Sequence, residues 1–574
     1  MAEICKPAAD EIARRRPPEI VMRLARIGAF FPTRLSFMRT LIRRLAAANT
    51  MITRRHWEMD ENGYGRAVFS LKLGGRDYAL VAFSNALDPE MRTDRVIAEA
   101  WDAAFVLFDG LPTEADLDRL QANAPKQEAG RFSDNELVLS RANKSLRLFA
   151  HVVDALASGK QPDADQIAQT GYLMRTTAVY GNGKFGISDR SKIADRPELQ
   201  GPFQAEMLTV YLIRHFTHEL VQHIAEARNP KAVKLSPANR RYLGIGNSTG
   251  LGMAPFLVTH PVLLNNWMLV RETALSRVRG LKTATNAQQA RLKVLATRVV
   301  QHIAQWKVAD DAYTKRINKL QQEWHEIVKS ICDEDIAAGA YPFEGLYQLS
   351  ENRSLDCQEL LVGLLLEVCG PIIDDLEDCM DSSVDARLNP SATLGMVKQI
   401  LNTEFRWVDG CDVTSEKGQA QFWYESEEKL EPRLGLRYEE QGADKERPLD
   451  IARQAAQLKQ VLAELPDDML VATFLLQQPE YRYIVRRVQT AAWAPYGEIQ
   501  DNLIDQDCLP IDMLRCKLSF FGAAKFDPKS DKWTRITLYA GAPLPEELGQ
   551  NDADISNNVS FDPDDWWLPI LEEA

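Results

Sequence analysis

Not one proline or glycine interrupts residues 283–338, and Ala, Leu, Gln, Lys and Arg dominate that stretch. A segment so rich in helix formers and free of breakers predicts either an antiparallel helical pair or one helix spanning a domain. Apolar spacings of three and four also run through 91–125, 133–160, 163–180, 203–228, 355–380 and 449–466. Three short β excursions punctuate them. Residues 67–84 carry Gly74-Gly75 between two alternating runs, the signature of a tight hairpin. Residues 419–440 and 514–541 read as two further hairpins with polar turns.

The expected fold is therefore mainly α with minor β hairpins, an α+β chain with a large helical body and a smaller α+β C-terminal portion. The expected division is a basic helical N-terminal segment (1–60), a β-hairpin (61–90), a helical body with the candidate site (91–400) and the α+β portion (401–574). A chain of 574 residues exceeds the usual size of one domain.

Composition excludes several classes. With 45% hydrophobic and 26% charged residues the chain reads as globular, and no apolar run approaches the ~20 residues of a membrane helix. A net charge of −13 argues against general nucleic-acid binding, which depends on neutralising phosphates. Eight scattered cysteines without a C-x-x-C pair point to reduced thiols and a cytoplasmic location. Residues 1–56 nevertheless hold twelve Lys or Arg against four Asp or Glu. Their arginines alternate with large apolar residues, which fits a helix packed on an acidic body, in the same chain or in a second copy of a homo-oligomer.

The chemistry-bearing residues concentrate at 215–260. Four of the eight histidines (His215, His218, His223, His260) fall there. On a helix, His215, His218, Glu219, Gln222 and His223 share one side, at ~100° per residue. Histidine suits proton transfer near neutral pH. His215, His218, Glu219 and His223 also form a candidate ligand set for a divalent metal, although this is not H-E-x-x-H. The identity of any organic cofactor stays open, and one would decide the reaction class.

Next comes GIGNSTGLGM (244–253), a glycine-rich stretch read as a loop whose open backbone amides and Asn247, Ser248, Thr249 and Gly250 cradle an anion. It lacks both the acidic residue of a dinucleotide fingerprint and the G-K-S/T of a P-loop. A second loop, YGNGKFG (180–186), offers Asn182 and Lys184, with Arg175 just before it and Tyr180 as a candidate acid. Two weaker features are Asp374, Asp375 and Asp378, read as an acidic helix surface, and the aromatic and arginine-rich 422–440, read as a charged hairpin.

These residues lead to an enzyme acting on a small anionic metabolite. The histidines or Tyr180 would move the proton, and Lys184, Arg175, Asn182, Asn247, Ser248, Thr249 and Gly250 would hold the anion. Lyase, hydrolase and oxidoreductase stay open. One alternative is a metal-dependent oxygenase or hydrolase centred on 215–223. The other is a non-catalytic interaction protein using its basic N-terminal helix.

Overall fold

The computed structural model describes residues 9–91, 100–123, 133–181, 184–185, 193, 195–250, 258–306, 308–333, 339–380, 386–413, 423–427, 432–434, 445–500, 510–523, 526–528, 533–548 and 566–571. The chain divides into two units, each assembled from separate stretches of sequence. One comprises residues 1–31, 251–293 and 322–517; the other comprises 32–250, 294–321 and 518–574.

The second unit overturns the expectation of a mainly helical chain. Its centre is a mixed sheet of ten strands: β1 (Thr53–Met59), β2 (Gly65–Leu73), β3 (Arg76–Ser84), β4 (Ala103–Asp109), β5 (Glu136–Lys144), β6 (Tyr172–Gly181), β7 (Lys184–Phe185), β8 (Gly244–Gly250), β12 (Phe526–Pro528) and β13 (Trp533–Leu538). Their order is β1-β2-β3-β4-β5-β6-β8-β13-β12, with β7 paired to β6. The class is mixed α/β.

Central strands cause the discrepancy. β4 (AAFVLFD) and β5 (ELVLSRANK) are buried at nearly every position. A strand covered on both faces shows a continuous apolar run instead of alternation, and such a run mimics a buried helix. The 514–541 stretch is a hairpin near its tip, where β12 and β13 pair antiparallel, but the start of its expected first arm lies in the helix Pro510–Phe521.

Helices cover both faces. Val68, Ala79, Val81, Phe83, Ala104, Val106, Phe108 and Leu139 form one core with Leu117 and Leu120 of helix Glu114–Asn123. On the other face lies the helix Gln204–Arg228, whose Phe216 ring meets Phe105 at 5.5 Å and Phe69 at 6.3 Å. β2 and β3 join through Gly74 and Gly75, at φ +58° and +84°, values that only glycine adopts without strain. The β6–helix–β8 path makes the one parallel pairing among the described strands. Two parallel neighbours require such a crossover.

The first unit is helical, with a three-stranded sheet of β9 (Trp423–Ser426), β10 (Pro432–Leu434) and β11 (Glu446–Pro448) in the order β10-β9-β11. Its helix Leu355–Val368 is buried along its length. Here some of the basic N-terminal residues find their partners. Arg16 bonds Glu272 at 2.7–2.8 Å and Glu359 at 2.7 Å; Arg26 reaches Glu359 at 2.8 Å and Arg271 reaches it at 2.7 Å. Burial would raise the Glu359 carboxyl, but Arg16, Arg271 and Arg26 pull it well below the carboxylate range. In the other unit, Arg39 is buried on helix Phe37–Ala47 and lies 5.5 Å from the Trp566 ring. The arginine and apolar alternation thus serves internal packing at these positions. The acidic stretch Asp374–Met380 is a 3₁₀ turn, with Asp375 paired to Arg277 at 2.7 Å.

Among the described residues no helix is long and apolar enough to cross a membrane. Cys332, Cys357, Cys369, Cys411 and Cys516 are free thiols, but Cys379 is in a disulfide, so the expectation of reduced cysteines fails there.

Removing Glu359 would take their shared carboxylate from Arg16, Arg26 and Arg271, leaving Glu272 to the first and last of them. Glu359→Ala is expected to destabilise the first unit by about 3–5 kcal/mol, the range for breaking a buried ion pair from one side. Chemical denaturation of the full chain, with peptide-resolved hydrogen exchange to separate the units, measures this.

Candidate functional site

The histidine face exists, but the sheet covers it. The His215 ring stands edge-on to Phe69 of β2 at 5.0 Å, and its Nδ1 is buried without a hydrogen-bond partner. Burial, reinforced by Arg240, lowers its pKa to about 4. His218 is buried, its Nε2 lies 3.3 Å from the Leu243 carbonyl, and burial followed by Arg214 holds its pKa well below the usual value. His223 reaches the Asp60 carbonyl at 2.8 Å and packs on Trp57 of β1 at 5.4 Å. Glu219 pairs with Arg54 at 3.3 Å. These side chains diverge onto different partners. Among the described residues no group of three or more His, Cys, Asp or Glu is placed to hold a metal, so the proposed ligand set is not assembled. His260 lies in the other unit, at the start of helix Pro261–Arg279.

The most heavily bonded side chain in this region is one that the sequence reading passed over. Arg214 is fully buried and meets no carboxylate. Its guanidinium points at five carbonyl oxygens, those of Leu243 (2.9 Å), Arg240 (3.0 Å), Arg241 (2.8 Å), Ala542 (2.9 Å) and Pro543 (3.1 Å). Burial lowers its pKa to about 10, so it stays charged at neutral pH. It ties the helix to the start of β8 and to the segment after β13. Tyr211 adds a bond to the Pro543 carbonyl at 2.9 Å.

The glycine-rich stretch is a strand, which corrects the expected loop. From Ile245 to Gly250 it pairs antiparallel with β13, and from Gly244 to Asn247 it pairs parallel with β6. Its first glycines answer to packing. A Cβ on Gly246 would lie 2.5 Å from the Tyr172 ring, and one on Gly244 would lie 2.0 Å from the Leu538 carbonyl oxygen. Backbone groups in the paired part of the ladder are already engaged and cannot cradle an anion. The second stretch holds the end of β6 and the two residues of β7, which pair antiparallel. Arg175 and Tyr180 belong to β6, Lys184 belongs to β7, and Asn182 lies outside the described residues, as do 251–253 of the glycine stretch.

These two strands then part. Among the described residues the β6–β8 ladder ends at Thr176–Asn247, while β6 runs on to Gly181 and β8 to Gly250. β5 occupies one side of β6 as far as Gly181. On the other side the short β7 pairs, Lys184 opposite Gly181 and Phe185 opposite Tyr180. The carboxyl ends of β6 and β8 thus form a fork with β7 in it. Asn247 sits at its base, with Nδ2 3.4 Å from the Thr176 hydroxyl, which in turn lies 3.4 Å from the Gly246 carbonyl. Arg175, buried, stands in register with Gly246. Ser248, Thr249 and Gly250 follow along one prong.

His218 lies at the opposite end of β8. His218 and Arg214 bond to Leu243, just before β8 begins, whereas Ser248 is five residues further along. At ~3.3 Å per residue that separates them by ~16 Å along the strand. The strands carry Arg175, Tyr180, Lys184, Asn247, Ser248, Thr249 and Gly250 toward the fork, whereas His218 meets the chain before β8, and His215 and His223 pack on β2 and β1, several strands away. Thr176 went unread; its setting in RTTAVY, rich in β-branched residues, was the available signal.

Gly246→Ala is expected to cost about 1–3 kcal/mol through overpacking against Tyr172. Arg214→Met should cost more, about 3–5 kcal/mol, because it strips a buried cation from five carbonyls at once. Thermal denaturation of both variants measures the difference, and equal effects would contradict the ranking. No family model, curated protein or solved structure matches this chain, so its site is read from its own residues.

Proposed function

We propose that the chain binds a small anionic metabolite in the fork between the carboxyl ends of β6 and β8. The observation that carries this reading is the early end of the ladder at Thr176–Asn247, with β7 between the diverging strands. In α/β sheets, ligands settle outside the carboxyl ends of parallel strands where neighbours diverge. By sequence, Lys184 on β7 brings a cationic residue to the fork, and Ser248 and Thr249 bring hydroxyl residues to the β8 prong. Asn247, oriented by Thr176, supplies a donor at the base.

Chemistry on a bound metabolite falls in this reading to groups at the fork, with Tyr180 and Lys184 as the titratable candidates. His218 is neutral, buried and at the far end of β8, and His215, also neutral, packs on Phe69 of β2, which suits packing rather than proton transfer.

A thermal-shift panel of inorganic phosphate, citrate, succinate and malate tests the reading. A member at a hundred times its Kd is expected to stabilise the chain by about 2.7 kcal/mol. The shift should vanish in Lys184→Ala and weaken in Asn247→Ala. A panel without any shift, or a shift that survives Lys184→Ala, would overturn the proposal.

A further inference from the structure

In the second unit, protonation of His215 is opposed from several sides. Its ring is wedged between helix Gln204–Arg228 and β2, with the Phe69 edge 5.0 Å away and Nδ1 buried without a partner. The charged groups around it are mainly positive. Arg214 and His218 come from its own helix, Arg240 from helix Pro237–Tyr242, and Arg54 from β1, opposed by Glu546 from the turn after β13. Around it, β1 and β2 rest on the same helix through Trp57 and Phe69 on Phe216, His223 on the Asp60 carbonyl and Trp57, Arg54 on Glu219, and Gly63 against Leu220 and Ile224. β1 is also the last strand of the sheet, with β2 as its paired neighbour.

We infer that the docking of the β1–β2 hairpin on helix Gln204–Arg228 is an acid-sensitive latch, released when His215 takes up a proton. A proton on Nδ1 would create a buried cation beside Arg214, Arg240 and Arg54. The ring can accept it only by leaving Phe69 for water. The sign follows from the direction of the shift. The docked ring binds its proton more weakly than the exposed ring, so docking is at full strength above about pH 6.5 and weakens as pH falls below it. One histidine weakens the docking equilibrium about tenfold per pH unit in that window, or about thirtyfold by pH 5. His218, buried one turn away, adds in the same direction where its contact with Leu243 opens as well.

Hydrogen–deuterium exchange of the full chain at pH 7.5 and 5.0, corrected for intrinsic rates, tests this. Protection of β1 and of helix residues 215–224 should fall about thirtyfold or more, while β4 and β5 keep theirs. In His215→Phe, which keeps the ring contact with Phe69, the fall should shrink to the share of His218. Unchanged protection, uniform loss across the sheet, or an undiminished fall in His215→Phe would each overturn the latch. If that variant does not fold, histidine NMR of the unaltered chain decides. A His215 ring titrating near 6.5 while the hairpin stays protected contradicts the inference, and one that stays neutral until the hairpin opens supports it.

Discussion

Arg214 is the point on which the larger sheet depends. A guanidinium surrounded by carbonyl oxygens is held by dipoles, and it shares three of those oxygens with other donors: Leu243 with His218, Arg241 with the Gly541 amide, and Pro543 with the Tyr211 hydroxyl. The side chain fixes three things together: the height of helix Gln204–Arg228 on the sheet, the point where β8 starts, and the return of the chain after β13. Lysine could not replace it, because an ammonium offers three donors from one point, whereas the guanidinium presents a planar fork of five. The parallel β6–β8 pair, and hence the fork at its far end, inherits its register from this anchor.

What the sequence made legible were features decided within a few residues. The Gly74-Gly75 turn needs two positive φ values between alternating runs, and both conditions are local. The amphipathic helix around 203–228 shows in its own spacing. What could not be read depended on partners distant in the chain. β4 and β5 are buried on both faces by elements tens of residues away, which erased the alternation that would have announced strands. Gly246 is small because the Tyr172 ring lies over it, more than seventy residues earlier, and sequence alone makes such a glycine look like a loop.

The histidines show the same limit from the other side. Their shared face was correctly inferred from helical spacing, but its meaning rested on what lies against it. A solvated or ligand-filled face would favour proton transfer; Phe69, Trp57 and the Asp60 carbonyl make it a packing surface instead. The two glycine-containing stretches were read as loops and hold paired strands, yet the tertiary fold brings their ends to one place.

The position of β8 has a consequence for how the chain is made. Its neighbours are β6, more than sixty residues before it, and β13, nearly three hundred residues after it. During synthesis, the edge of β8 that faces β13 therefore has no strand to meet until nearly the whole chain has been translated. Such remote pairing slows folding and prolongs exposure of an open strand edge. A product ending before residue 533 would present that edge permanently, with Ile245 and Asn247 lacking Leu538 and Ile536, and would be prone to pair with another copy of itself.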